Sequence, residues 1–345
     1  MRTVISTVGT SLLRSFEKSS LNFVTLLTFV NTADPRKACA ETNALSRLLQ
    51  EGDRLIFLHS DTEEGKLCAG VLAQHYAQNG YETIVDCIRY LSYREAHFRL
   101  RGLRSLVGKL ADLIERERTI HKREVIINAT GGFKAEGVYA TLVGLLFNVP
   151  VWYIHEMFQE VVKMPVLPVD WNYAVIAEHE DFLRFVSEEL RSKQEVRRFF
   201  PTIPESIASM LEEEDNFVLL SPAGEAVFRA YREKLQVAAS MPVFLSKNAQ
   251  QWFLKADSAV KERIKSIIRK IKLPEVRRSQ IKVLKSSPCF VYPQGHQDER
   301  ILFCEKDETL WICALVRHSD RSYETLLQQK IRCKDKDDFV PFVED

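Results

Sequence analysis

Ile127 to Gly137 reads INATGGFKAEG, two glycines and a lysine where an apolar run (Val125, Ile126) gives way to a helical pattern. A strand that breaks at Gly-Gly and restarts as a helix directs backbone N–H groups into the gap, and Lys134 adds positive charge beside them. That combination binds anions, phosphate foremost. The same glycines also suit a tight βα turn that needs φ > 0. Two more apolar runs end in small polar residues: Ser6-Thr7-Val8-Gly9-Thr10-Ser11 and Ser60-Asp61-Thr62. A different chemistry is written between Lys247 and Phe290, where eight Lys and four Arg face only Asp257, Glu262 and Glu275. In a chain with a net charge of +1, so local an excess favours nucleic-acid contact over a merely solvated helix face. His296, Asp298 and Glu299 lie close together in GHQDE, but that polar loop reads as a solvated hairpin turn. No metal site is expected.

The elements that must carry these residues alternate in type over residues 1–155. Strands are expected at Arg2–Val8, Arg54–His59, Glu82–Cys87, Glu124–Asn128 and Val151–His155, and helices near Arg36–Gln50, Glu63–Gln78, Glu95–Glu117 and Phe133–Phe147. This spacing implies a parallel sheet covered on both faces. Such sheets bind ligands at the carboxyl ends of their strands, where the three polar motifs fall.

The prolines of VVKMPVLPVD, from Val161, read as an exit linker. Residues 172–240 are mostly helical until FVLLSPAGEAVFRAYREKL, which reads as a short strand (Phe217–Leu220), an N-cap turn at Ser221-Pro222 and a last helix. The order suggests a small winged helix-turn-helix. The acidic run Leu211-Glu212-Glu213-Glu214-Asp215 argues against its binding DNA directly, so a spacer or dimerisation role is expected. From Met241 a strand (Val243–Leu245) precedes helices with Val260, Ile264, Ile267, Ile268 and Ile271 at helical spacing. Strand-like runs follow at Gln280–Leu284, Cys289–Tyr292, Arg300–Glu305 and Leu310–Val316.

Three domains, 1–160, 170–240 and 241–345, suit a length of 345 residues, since single cores stop growing at about 250–300. Seven cysteines (39, 68, 87, 289, 304, 313, 333) form no C-x-x-C pair, which favours reduced, buried thiols over a disulfide frame or zinc site. The strand-like N-terminus reads as no signal peptide, and no apolar run nears membrane-spanning length. A cytoplasmic protein without a membrane partner is expected.

TVGTSLL (Thr7–Leu13), SDTEEGKLCA (Ser60–Ala69) and NATGGFKAE (Asn128–Glu136) together resemble the CRISPR-associated Rossmann-fold sensor domains, abbreviated CARF. The resemblance covers about residues 1–160. It implies an α/β Rossmann-like domain in a homodimer that binds cyclic oligoadenylate, the second messenger of type III CRISPR complexes, across the dimer axis. The ligand-binding residues it implies are Gly9, Thr10, Ser11, Ser60, Asp61, Asn128, Thr130, Gly131, Gly132, Phe133 and Lys134. Chemistry agrees: a ring carrying one negative charge per nucleotide needs N–H donors, hydroxyls and cations, which Thr10, Ser11, Gly131, Gly132 and Lys134 can supply. Asn128 could bond a ribose or fix the turn. Cyclic tetra-adenylate matches the symmetry of a two-fold dimer. Some sensors of this type also cleave their ligand by in-line attack of a ribose 2′-OH, and that remains open here.

VFLSKNAQQWFLKADSAVKERIKSIIRKI (Val243–Ile271), with Arg300-Ile301-Leu302-Phe303, Leu315-Val316-Arg317-His318 and RSYETL (Arg321–Leu326), resembles the RelE family of ribosome-dependent mRNA interferases. The resemblance implies a small α+β domain with an antiparallel sheet that cleaves translating mRNA in the ribosomal A site, without a metal or other cofactor. Such cleavage uses the 2′-OH as nucleophile and needs a base, cations for the phosphorane charge and an acid for the leaving oxygen. By resemblance, Arg300 and Arg317 stabilise the transition state, His318 or Tyr323 transfers protons, and Lys285 is a base. Lys282 and Arg321 serve there or as phosphate clamps. The whole then looks like a CRISPR-associated mRNA interferase switched on by its ligand. Competing readings are a ligand-controlled transcription regulator and an enzyme that only degrades the signal.

Overall fold

The computed structural model describes residues 1–16, 22–92, 98–154, 160–167, 171–279, 281–283, 289–293, 298–328 and 338–343. The chain divides into two units, Met1–Asp170 with Asp181–Ala230, and Trp171–Glu180 with Tyr231–Asp345. The segment expected to form a middle domain is thus shared between them.

In the first unit, strands β1 (Arg2–Val8), β2 (Arg54–Ser60), β3 (Glu82–Ile88), β4 (Glu124–Asn128), β5 (Val151–Tyr153) and β6 (Val162–Met164) form one sheet in the order β3-β2-β1-β4-β5-β6. The first five are parallel. β1 and β2 are buried along almost their whole length, which suits the apolar run Leu55–Leu58 of β2, while β1 buries Thr3, Ser6 and Thr7 beside Val4, Ile5 and Val8. The chain winds outward from β1 to β3, then returns to lay β4 on the other side of β1. That reversal opens a crevice above the carboxyl ends of β1 and β4.

Helix Glu63–Gln78 has the expected bounds, with the Thr62 hydroxyl accepting the Gly65 N–H at 3.0 Å. Other expectations need correction. The helix expected over Arg36–Gln50 is two, Pro35–Ala38 and Ala40–Leu48, because Cys39 between them is extended. The helix expected from Glu95 begins at Leu103, behind a π turn at Phe98–Gly102; residues 93–97 lie outside the described ones. The expected linker begins as a strand, since β6 pairs antiparallel with β5 at the sheet edge, where its prolines follow rather than interrupt the ladder. Helices Ser11–Ser15 and Phe23–Thr32 were not anticipated. Of the strand expected to reach His155, the described part ends at Tyr153.

Also in this unit, β7 (Arg191–Ser192), β8 (Leu211–Glu214) and β9 (Phe217–Leu220) make a small antiparallel sheet in the order β7-β9-β8. The acidic run is therefore a strand, turning into β9 through Asp215 at φ 53°. Arg229 joins Glu225 (2.6 Å) to Asp112 on helix Leu103–Thr119 (2.5 Å), and Arg104 of that helix meets Glu225 at 3.0 Å.

The second unit is a mixed sheet of β10 (Val243–Ser246), β11 (Lys282–Val283), β12 (Phe290–Tyr292), β13 (Glu299–Lys306), β14 (Thr309–Arg317) and β15 (Phe339–Pro341), in the order β11-β12-β13-β14-β10-β15. It is antiparallel except that β10 runs parallel to β14, a departure from the purely antiparallel expectation. Helix Ser258–Ile271 starts on Asp257, whose carboxylate accepts the Val260 N–H at 2.9 Å, and buries Val260, Ile264, Ile267, Ile268 and Ile271. The sulfurs of Cys289, Cys304 and Cys313 converge within 4.8 Å of one another in the core of this sheet. Cys304 is disulfide-bonded, whereas Cys39, Cys68, Cys87, Cys289 and Cys313 are free thiols, as expected. A disulfide sulfur is a poor metal ligand, so the group does not read as a metal centre. Among the described residues no helix is long and apolar enough to cross a membrane.

Candidate functional site

Above β1 and β4 lies a cavity of about 510 Å³ lined by Gly9, Thr10, Ser11, Ser60, Thr130, Gly131, Gly132 and Phe133, eight of the residues expected to bind ligand. Three others do not line it. Asn128 is fully buried, donating to Ser6 Oγ at 2.9 Å and accepting from Thr130 Oγ1 at 2.7 Å, bonds that tie the turn to β1. Asp61 faces away and accepts the Tyr90 N–H at 3.1 Å. Lys134 is exposed in the first turn of helix Lys134–Leu146.

The close approach of chain to chain explains the glycines. Gly132 has φ 96°, and a Cβ on Gly9 would stand 2.7 Å from the Gly132 nitrogen. A Cβ on Gly131 would stand 2.6 Å from the Thr7 carbonyl oxygen. Among the described residues, the N–H groups of Gly131 and Gly132 take no hydrogen-bond acceptor.

Two carboxylates that the motif reading missed hold this turn. Glu41, fully buried, accepts the Gly9 N–H at 2.7 Å and the Ser11 hydroxyl at 3.1 Å. Glu136, 1% exposed, accepts the Phe133 N–H at 3.1 Å through Oε1. One N–H of the turn, that of Phe133, and one of the neighbouring loop, that of Gly9, are thereby spent inside the protein. Glu136 could have been found: it stands three residues after the helix entry at Phe133, the spacing at which an acid reaches back to the cap N–H. Glu41 carried no such signal.

Burial pushes the Glu136 carboxyl up to about 7, with the Glu41 charge adding to the rise and the Phe133 N–H opposing it. In the unfolded chain the same group titrates near 4.5. Between those values the folded state holds the extra proton, so stability should fall as pH rises through that window. The loss from this group is about 3 kcal/mol, because each pH unit separating the folded and unfolded titrations contributes about 1.4 kcal/mol. Urea unfolding of the wild type and Glu136→Gln at both ends of the window checks this: the difference between the two proteins should change by that amount.

In the second unit, register brings Arg317 opposite Glu299 and Val316 opposite Arg300, at one end of the β13–β14 pair. Arg317 is half-exposed, with its guanidinium 3.8 Å from Asp257 and its N–H given to Asp320 at 3.2 Å. His318 is exposed, its N–H on the Asp298 carbonyl at 2.6 Å and its ring 5.0 Å from that of Tyr323. Arg300 is 4% exposed and Tyr323 lies in the core with Cys289 and Val316. Neither is a surface contact for RNA as it stands. Lys282 is exposed on edge strand β11. Lys285, His296 and the side chain of Arg321 lie outside the described residues.

Asp298 and Glu299, read from sequence as part of a solvated turn, are structural members of this end. Asp298 accepts the N–H and hydroxyl of Ser319, both at 2.9 Å, which holds its carboxyl below the usual range. Glu299, buried, binds Arg263 at 2.7 Å. The basic segment is likewise less free than its composition implied. Arg269 and Lys270 meet the buried Glu180, and Arg277 meets Glu305 at 2.8 Å. Lys255, Arg278 and Lys282 remain exposed.

Residues 36–167 match the family described as CRISPR-associated protein (Cas_APE2256), well under half of the chain. Among solved structures, Can2 from Sulfobacillus thermosulfidooxidans in complex with cyclic tetra-adenylate is similar at 12% identity over 94% of this chain and 83% of that one, with a TM-score of 0.25. Csm6 from Enterococcus italicus bound to cyclic hexa-2′-fluoro-hexa-dAMP aligns at 12% identity over 61% and 54%, with a TM-score of 0.27. Protein VC1899 from Vibrio cholerae aligns at 10% over 92% and 77%, with 0.26. Superpositions this loose carry no argument by themselves. The matched region of the family does span β2 to β6 and the glycine turn.

Proposed function

We propose that the first unit senses cyclic oligoadenylate made by a type III CRISPR complex, and that the ligand activates a RelE-like, ribosome-dependent endoribonuclease in the second unit. The observation that carries the sensor half is the cavity at the strand-order reversal, with eight of the expected binding residues around it and two glycine N–H groups that, among the described residues, have no acceptor and could serve an anion. The match to a CRISPR-associated family over residues 36–167, which include the Gly131-Gly132 turn, supports it. A two-fold dimer would present two such cavities to a two-fold ligand such as cyclic tetra-adenylate.

The nuclease half rests on Arg317 and His318 emerging together at a strand end, braced by Asp257 and Asp298. There Arg317 would stabilise the phosphorane and His318 would move a proton, with mRNA in the ribosomal A site as substrate. Adding cyclic tetra-adenylate or cyclic hexa-adenylate to a translation reaction and mapping mRNA ends tests the whole. Ligand-dependent cuts within codons, with 5′-hydroxyl ends, are expected. Efficient cutting of naked RNA, or 3′-hydroxyl products, would count against a RelE-like mechanism.

A further inference from the structure

Glu136 is almost fully buried in the cavity wall, yet only one of its oxygens is committed. Oε1 takes the Phe133 N–H, while Oε2 has no hydrogen-bond partner and lies against Gly132, so closely that a Cβ there would collide with it. A buried, unpartnered carboxylate oxygen is costly and calls for an account. The charged groups around the same cavity sharpen the problem. They are Arg14 from helix Ser11–Ser15, Glu41 from helix Ala40–Leu48 and Glu64 from helix Glu63–Gln78, besides Glu136 itself, with Lys134 exposed at the start of Glu136's own helix. Three carboxyl groups therefore line a cavity that holds a single guanidinium. With all of them ionised, the cavity would repel the polyanion assigned to it.

We propose that Glu136, whose Oε2 is closed off from solvent in the free protein, turns that oxygen into the cavity and contacts the ligand as a neutral carboxylic acid, its Oε2–H donating to a phosphodiester oxygen of the bound cyclic oligonucleotide, so that binding takes up one proton. The inference rests on the anionic-ligand reading above. It converts the unpartnered oxygen into a donor, removes one of the three like charges and leaves the Phe133 bond intact. A carboxylic acid kept neutral to donate a hydrogen bond is an established device in buried polar sites. The raised proton affinity of Glu136 agrees with it, since burial beside Glu41 already holds the proton to about 7. No covalent step is involved: the proton stays on Glu136 and returns to solvent when the ligand leaves.

The test is calorimetric titration of the full-length protein with cyclic tetra-adenylate from about pH 6 to about pH 9, in buffers of differing ionisation heat. Binding should take up close to one proton at the alkaline end, with affinity falling by up to about tenfold per pH unit above pH 7. Glu136→Gln keeps an Oε1 acceptor for Phe133 and carries an amide donor in place of Oε2–H. It should bind with a flat pH profile and no proton uptake. Wild-type binding with a flat profile, or a slope that persists in Glu136→Gln, overturns this inference and leaves the ligand assignment standing. No binding by the wild type at any pH overturns the ligand assignment and this inference with it. The wild-type measurement stands alone should the variant fold poorly.

Discussion

Replacing Arg317 with alanine should reduce single-turnover cleavage of ribosome-bound mRNA by about a hundredfold, the scale of losing one preorganised donor to a developing charge. The side chain ends β14, half-exposed, beside a backbone N–H anchored to Asp320. Its long approach to Asp257, 3.8 Å, is a weak tether that a phosphate can outcompete. A planar, always-charged fork can hold two phosphoryl oxygens at once, which an ammonium cannot. Arg317→Lys should therefore give an intermediate rate. Ribosome affinity should change much less than rate, because exposed Lys255, Arg278 and Lys282 remain to meet phosphates in the ground state. The structure also ranks the two arginines: Arg300 is buried along β13, so it would position its neighbours rather than touch RNA. Loss of ribosome binding with an unchanged rate at saturation would reduce Arg317 to a clamp.

What the sequence made legible was local. The alternation of strand-like and helical runs announced a parallel sheet, and the polar ends of β1 and β4 marked the crevice. The helix Glu63–Gln78 was readable from Thr62, whose cap is a short-range bond. What stayed hidden depends on partners distant in sequence. Glu41 reads as an ordinary polar helix residue until the fold lays Gly9 and Ser11 against it. The basic segment looked uncommitted because Glu180, Glu299 and Glu305, which take up Arg269, Lys270, Arg263 and Arg277, stand 28 to 90 residues away. Composition counts charges; it does not pair them. The strand β6 was missed for a related reason: three exposed residues before a proline show no alternation, and only pairing with β5 makes them a strand.

The two glycines of the turn should not be equivalent, although sequence treats them as a pair. Gly132 has the left-handed φ, so alanine there costs about 1 kcal/mol of backbone strain. Its new methyl would press on the Glu136 carboxylate, which must give up its single bond from the Phe133 N–H to move away, a side-chain shift rather than a backbone one. Gly131 has no such φ, yet its Cβ would press on the Thr7 carbonyl oxygen at 2.6 Å as well as on the Glu41 carboxylate. A central strand's backbone cannot yield, and Glu41 is held by Gly9 and Ser11. The turn itself must move instead, displacing its two acceptor-free N–H groups and reshaping the cavity above β1 and β4. Gly131→Ala should therefore destabilise the protein by about 1–3 kcal/mol, the usual cost of overpacking a filled site. It should also weaken cyclic tetra-adenylate binding by about a hundredfold, equivalent to losing about 3 kcal/mol of charge-assisted hydrogen bonding. Gly132→Ala should show the smaller loss on both counts. Calorimetric affinity and thermal unfolding of the two variants decide the order; equal binding by Gly131→Ala and the wild type would remove the turn from the ligand site.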